Sequence, residues 1–160
     1  MASRGSGATV TAIAPSDPAQ AFAILTPSDP SRFYPRFGVI PATTAVRDQT
    51  GAWDAAGQTR TLLLSDGSSV VENLREVDAP HRFVYELTDF TRVFGVLVDH
   101  ARAEWLFDAE GTGTRIRWTY VFFARPGRGA IVTAIVRLAW GPYMKKVLPG
   151  LVAEVRREAR

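Results

Sequence analysis

One acid in this chain sits where an acid is least expected. In the run Val70, Glu72, Leu74, alternate positions carry the apolar pattern of an inward strand face, and Glu72 interrupts it. A carboxylate turned into an apolar interior needs a partner or must give up its charge, which makes Glu72 a candidate general acid or base. Arg60 lies across the hairpin signalled by Asp66-Gly67 and is the candidate partner. Register decides whether they meet: a two-residue loop pairs Thr61 with Glu72, and a one-residue bulge changes that. The alternative is a surface glutamate on the wet face of the strand, and the sequence leaves both open.

Other reactive side chains are sparse. His100 has the side chain that titrates nearest neutral pH, but its strand face also carries Arg102 and Glu104, the pattern of a solvent side. His81 follows Pro80 and reads as a turn residue. Two separated histidines with no acid cluster at ligand spacing give no metal site, and no cofactor is called for. Gly111-Thr112-Gly113-Thr114 joins two strands, so it is a hairpin and not a phosphate loop. With no cysteine, thiol catalysis, disulfides and iron–sulfur clusters are excluded, and a reducing cytoplasm is the expected location.

The elements that must hold these residues follow from periodicity. At 160 residues, 46% apolar and 22% charged, the chain is expected to form one domain over 8–160 behind a disordered lead, 1–7. Strands are expected at 8–14, 39–47, 59–64, 69–77, 82–88, 98–107 and 114–123. Ser16-Asp17-Pro18 starts a short helix over 18–25, and the prolines that follow allow one further turn at 31–34. Residues 89–97 read as a loose stretch that could gate a cavity, with Arg92 a solvated loop arginine. A helix over 129–158 closes the chain, with Ile131, Ile135, Leu138, Leu148, Leu151, Val152 and Val155 as its apolar face and a kink at Gly141-Pro142. The class is α+β, one curved antiparallel sheet of about seven strands gripping the long helix. Such a sheet can leave a pocket beneath the helix, which points to a container for an apolar ligand.

The net charge is +3, and 17 of the 19 basic residues are arginine. They are scattered, with dense groups only at Lys145-Lys146 and Arg156-Arg157, so no nucleic-acid interface is expected. Arginine in place of lysine, with abundant alanine, glycine and valine, reflects GC-rich coding. The longest apolar run, 130–140, contains Arg137 and is far short of the roughly 20 residues that span a bilayer, so no integral membrane association is expected.

Several phrases carry a family resemblance. Gly57 to Arg60, Leu62-Leu63-Leu64-Ser65-Asp66-Gly67-Ser68 and Glu72-Asn73-Leu74 resemble the third and fourth strands of the START-like helix-grip (SRPBCC) superfamily, polyketide cyclase/dehydrase type. Asp78-Ala79-Pro80-His81-Arg82-Phe83-Val84-Tyr85 resembles its link into the fifth strand. Ala103-Glu104-Trp105-Leu106-Phe107 with Gly113-Thr114-Arg115-Ile116-Arg117-Trp118-Thr119-Tyr120 resembles its last hairpin. The resemblance implies a helix-grip fold with a cavity for a small, largely apolar molecule, and it transfers no universal catalytic residue.

On that expectation Phe83, Tyr85, Trp105, Trp118 and Tyr120 line the inner face, either as cavity wall or as solid core. Trp140 and Tyr143, beside the helix kink, either hydrogen-bond a ligand at the mouth or pack helix on sheet. Three functions follow. The first is binding or carriage of a lipid- or polyketide-like ligand. The second is a cyclase or dehydratase in which Glu72 moves protons and Tyr85 or Tyr120 orients a carbonyl. The third is a module whose basic helix end docks a protein or an anionic membrane surface.

Overall fold

The computed structural model describes residues 5–160. Seven strands form one antiparallel sheet: β1 (Ser6–Ala14), β2 (Thr43–Arg47), β3 (Thr59–Leu64), β4 (Ser69–Asp78), β5 (Arg82–Thr88), β6 (Val98–Glu110) and β7 (Gly113–Ala124). Their order is β1-β7-β6-β5-β4-β3-β2, so every strand from β2 to β6 neighbours its successor and β1 closes onto β7. This is the helix-grip arrangement expected from the sequence. β1 starts inside the stretch 1–7 read as a lead, and residues 1–4 lie outside the described residues.

Between β1 and β2 runs α1 (Pro18–Leu25), whose start is fixed by the Asp17 carboxylate accepting from the Gln20 amide at 2.9 Å. It buries Ala21, Phe22 and Leu25, and the Phe22 ring meets Phe107 edge-on at 5.2 Å. A single 3₁₀ turn, Pro30–Arg32, follows. The strand expected at 39–47 is shorter than its apolar pattern, because Phe37 and Ile40 bridge to each other and Pro41 offers no amide. Residues 89–97 are not wholly irregular either: Arg92–Leu97 is a short helix, α2.

The long helix spans the expected range as α3 (Gly129–Ile135), a π-helical turn (Val136–Trp140) and α4 (Gly141–Glu158). The distortion expected at Gly141-Pro142 takes the form of that π turn, which accommodates the proline's missing amide. The extra residue of the π turn also shifts the helix phase. The face set by Leu148, Leu151, Val152 and Val155 therefore does not project back onto Ile131 and Leu138, which are exposed, and Val132 and Val136 are buried instead. That part of the expected face is corrected.

Side-chain size along β6 shapes the interior. Ala101 is paired with Leu87 on one side and Phe122 on the other, and Ala103 with Tyr85 and Tyr120. Both alanines are fully buried among these larger neighbours. Towards the turn end the pattern reverses: Trp105 faces Trp118 across β6 and β7 and the two indoles stack at 4.8 Å, filling the space.

Candidate functional site

A cavity of about 290 Å³ lies between the concave sheet face and the helices. Its walls are mainly apolar, with Leu62, Leu64, Val70, Leu87, Phe90 and Phe122 among them. The size falls at the lower end of small-molecule pockets, which enclose roughly 300–1,000 Å³.

The β3–β4 hairpin settles where Glu72 points. The Leu64 amide donates to Ser68 O and the Gly67 amide to Leu64 O, so the turn holds three residues, Ser65-Asp66-Gly67, with Gly67 at φ +84°. A glycine in the left-handed region is what such a three-residue bulged turn requires. The Asp66 carboxylate accepts from the Ser68 amide at 2.9 Å, and also from its hydroxyl, which holds the Asp66 carboxyl below its ordinary range. The extra residue puts Arg60, and not Thr61, opposite Glu72. Directly paired residues share a face, so both point inward.

Arg60 and Glu72 are 5% and 3% exposed, and Arg60 Nε donates to Glu72 Oε1 at 2.6 Å. Arg60 Nη1 also reaches Ser28 O at 3.4 Å, and the guanidinium lies 4.2 Å from the centre of the Trp53 ring. A buried ion pair survives only where further hydrogen bonds and polarisable surfaces replace the lost water, and Ser28 and Trp53 supply these. Glu72 Oε2 has no protein donor, so one carboxylate oxygen remains available on the cavity wall.

Three phenols share the space. Tyr34, Tyr85 and Tyr120 line the cavity, with the Tyr85 and Tyr120 rings edge-to-face at 6.4 Å. Burial pushes all three hydroxyls well above the ordinary phenol range, and the nearby Glu72 charge pushes the same way. They are therefore neutral at physiological pH and can donate to an acceptor. Two indole N–H groups on the lining, those of Trp53 and Trp140, are buried without a protein acceptor. The site is an apolar chamber with several donors and one carboxylate oxygen.

Of the residues singled out in the sequence, Arg60, Glu72, Phe83, Tyr85, Trp105, Tyr120 and Trp140 border this one cavity. Trp118 and Tyr143 do not. Trp118 is fully buried between Trp105 and the edge of Tyr34, and Tyr143 donates its hydroxyl to Pro35 O at 2.7 Å, tying the 34–42 loop to α4. His100 lies elsewhere, stacked on Phe123 and bonded to Asp99 at 2.8 Å. Arg92, at φ +59°, lies over the Gly67 turn. Sequence reasoning missed Trp53 and Tyr34. Both come from loops without periodicity, and the only available signal was a large aromatic amid turn residues. Among the described residues no group of three His, Asp or Glu side chains is placed to hold a metal, and no helix is long and apolar enough to cross a membrane.

Known structures share this architecture at low identity. The Zhui aromatase/cyclase from Streptomyces sp. R1128 superposes with a TM-score of 0.72 at 13% identity, over 98% of this chain and 97% of that one. Norcoclaurine synthase from Thalictrum flavum, in complex with dopamine and hydroxybenzaldehyde, gives 0.72 at 11% identity, over 99% and 90%. TTHA0849 from Thermus thermophilus gives 0.66 at 15% identity, over 96% and 99%. At these identities the likeness establishes the fold alone. No curated protein matches the sequence. The profile described as polyketide cyclase / dehydrase and lipid transport matches residues 7–156, almost the whole chain. With that match over the strands and helix that build the cavity, the chain belongs to the polyketide cyclase/dehydrase and lipid transport family.

Proposed function

We propose that this protein binds a small, mainly apolar molecule in the cavity, a ring system carrying at least one carbonyl or phenol oxygen. The observation that carries this reading is the lining itself. Neutral phenols at Tyr34, Tyr85 and Tyr120 border an otherwise apolar chamber. A few hydroxyl groups on an apolar wall favour a ligand that is mainly apolar and supplies a hydrogen-bonding oxygen to fix its orientation. The structures of an aromatase/cyclase and of a synthase holding dopamine and hydroxybenzaldehyde, built on the same fold, are consistent with an aromatic occupant.

The test is a calorimetric titration with a matched pair, naphthalene and acetylnaphthalene. Both should bind saturably, the ketone tighter by about tenfold, the effect of one good hydrogen bond. Equal affinities would remove the acceptor preference, and no binding of either would remove the cavity as a ligand site.

A second reading is favoured by one feature, the free Oε2 of Glu72. A carboxylate beside phenol donors is a layout for intramolecular aldol chemistry. Glu72 would take a proton from carbon next to a carbonyl held by Tyr85 or Tyr120. The carbanion would attack a second carbonyl carbon, and the resulting alkoxide would recover the proton from Glu72, with no net change in protons or electrons. Glu72→Gln should then abolish turnover of a polyketone while retaining its binding. Turnover that persists in Glu72→Gln would exclude this role.

A further inference from the structure

Among the described residues six large apolar side chains are strongly exposed: Ile13, Val39, Val93, Val96, Ile131 and Leu138. All but Ile13 sit on three segments that border the cavity mouth. These are the 34–42 loop, which contributes Val39, Ile40 and Pro41 to the lining, residues 90–97 around α2, and the first half of the long helix, which contributes Ile135 and Trp140. Val39 at 83%, Leu138 at 80% and Val93 at 74% exposure are far more open than a core-forming side chain. The 34–42 loop is tied to the long helix, and α2 to the residue that follows β7. Lys146 Nζ lies 5.2 Å from the Phe37 ring, and Arg125 donates to Gly95 O at 2.6 Å.

Charge separates along the same boundary. Residues 34–42, 90–97 and 128–148 contain Arg36, Arg92, Arg128, Arg137, Lys145 and Lys146 and no acid, whereas the rest of the chain is net −3. Of the neighbouring acids, Asp99 is held by His100 and Arg125, Asp89 accepts from Thr88, and Asp66 accepts from Ser68 and also feels the Arg92 charge. An apolar cluster beside Arg36, Arg128, Arg137, Lys145 and Lys146, none of them in an ion pair among the described residues, matches the interface of a bilayer bearing anionic headgroups, where apolar side chains enter the acyl boundary and cations stay at the phosphates.

We propose that the cavity mouth docks on an anionic lipid surface, with Val39, Val93 and Leu138 as the inserting side chains. The opening then faces the bilayer, so an apolar ligand can enter without crossing water. Docking itself is read on ligand-free protein and so stands apart from what the cavity binds.

The experiment is flotation with vesicles of phosphatidylcholine alone and of equal phosphatidylcholine and phosphatidylglycerol. Binding is expected to the anionic vesicles only, weakening as salt is raised. The triple variant Val39→Ser, Val93→Ser, Leu138→Ser should lower partitioning at least about tenfold, given the apolar area removed. Circular dichroism is expected to show it folded, and Arg36→Gln with Arg137→Gln gives an independent reading that leaves the apolar cluster intact. No binding to anionic vesicles, or undiminished binding by both variants, overturns the proposal. So does a dimer by sedimentation that the triple variant dissociates, because a second copy would then cover this face.

Discussion

The inner end of the cavity and its mouth are built on opposite principles. At the inner end, strands β3 and β4 hold the Arg60–Glu72 pair at 2.6 Å, both side chains nearly without solvent contact. At the mouth, a loop, a short helix and a distorted helix half present Val39, Val93 and Leu138 to solvent. Ladder hydrogen bonds fix position at the inner end, so a costly polar group can be kept there in one geometry. The mouth has fewer such constraints and carries its apolar side chains outward. Orientation and chemistry belong to the rigid end, and entry belongs to the adaptable one.

Mutations should separate the two regions sharply. Glu72→Ala strips the partner from a buried guanidinium and should cost about 3–5 kcal/mol in urea unfolding. A loss under about 1 kcal/mol would mean that water reaches Arg60. On the cavity wall, Val70→Phe adds a ring to the lining and should fill much of the chamber. The expected stability cost is about 1–3 kcal/mol, together with loss of acetylnaphthalene binding by calorimetry. Retained binding would place the ligand elsewhere.

Alkaline pH probes the phenols. All four tyrosines, Tyr34, Tyr85, Tyr120 and Tyr143, have hydroxyls raised above their ordinary range, with burial the leading cause. In the unfolded chain they ionise near pH 10, as free phenols do. Below that pH both states are protonated and the stabilisation is complete. Above it the unfolded state loses protons first, so stability falls as pH rises. Tyrosinate absorbance should therefore appear together with unfolding, and not at pH about 10 in the native protein. Ionisation before unfolding would show that the phenols are wet. The smallest effect belongs to the mouth, where Leu138→Ser should leave stability within about 0.5 kcal/mol.

Much of this could be seen in the residues. Alternation in Arg82–Thr88 and in β7 marked the inner face, and capping chemistry at Asp17-Pro18 marked α1. The Arg60–Glu72 pairing hung on one residue of turn length, which Asp66-Gly67 alone does not specify. The helix face beyond Leu138 was misread because a π turn changes phase without leaving any mark in hydrophobic spacing. Trp118 resembled its cavity-lining neighbours Trp105 and Tyr120 in pattern, and only the stacked indoles reveal that this end of the sheet is filled. Trp53 and Tyr34 arrive from loops, where position is set by long-range packing.

Entry of a ligand into the cavity bordered by Tyr34, Tyr85 and Tyr120 can be read directly by solution NMR of the protein with acetylnaphthalene. Intermolecular contacts are expected from the naphthalene ring to Leu62, Tyr85, Leu87 and Tyr120, all on the cavity wall. Contacts confined to the outer sheet face, or none at saturating ligand, would contradict such entry.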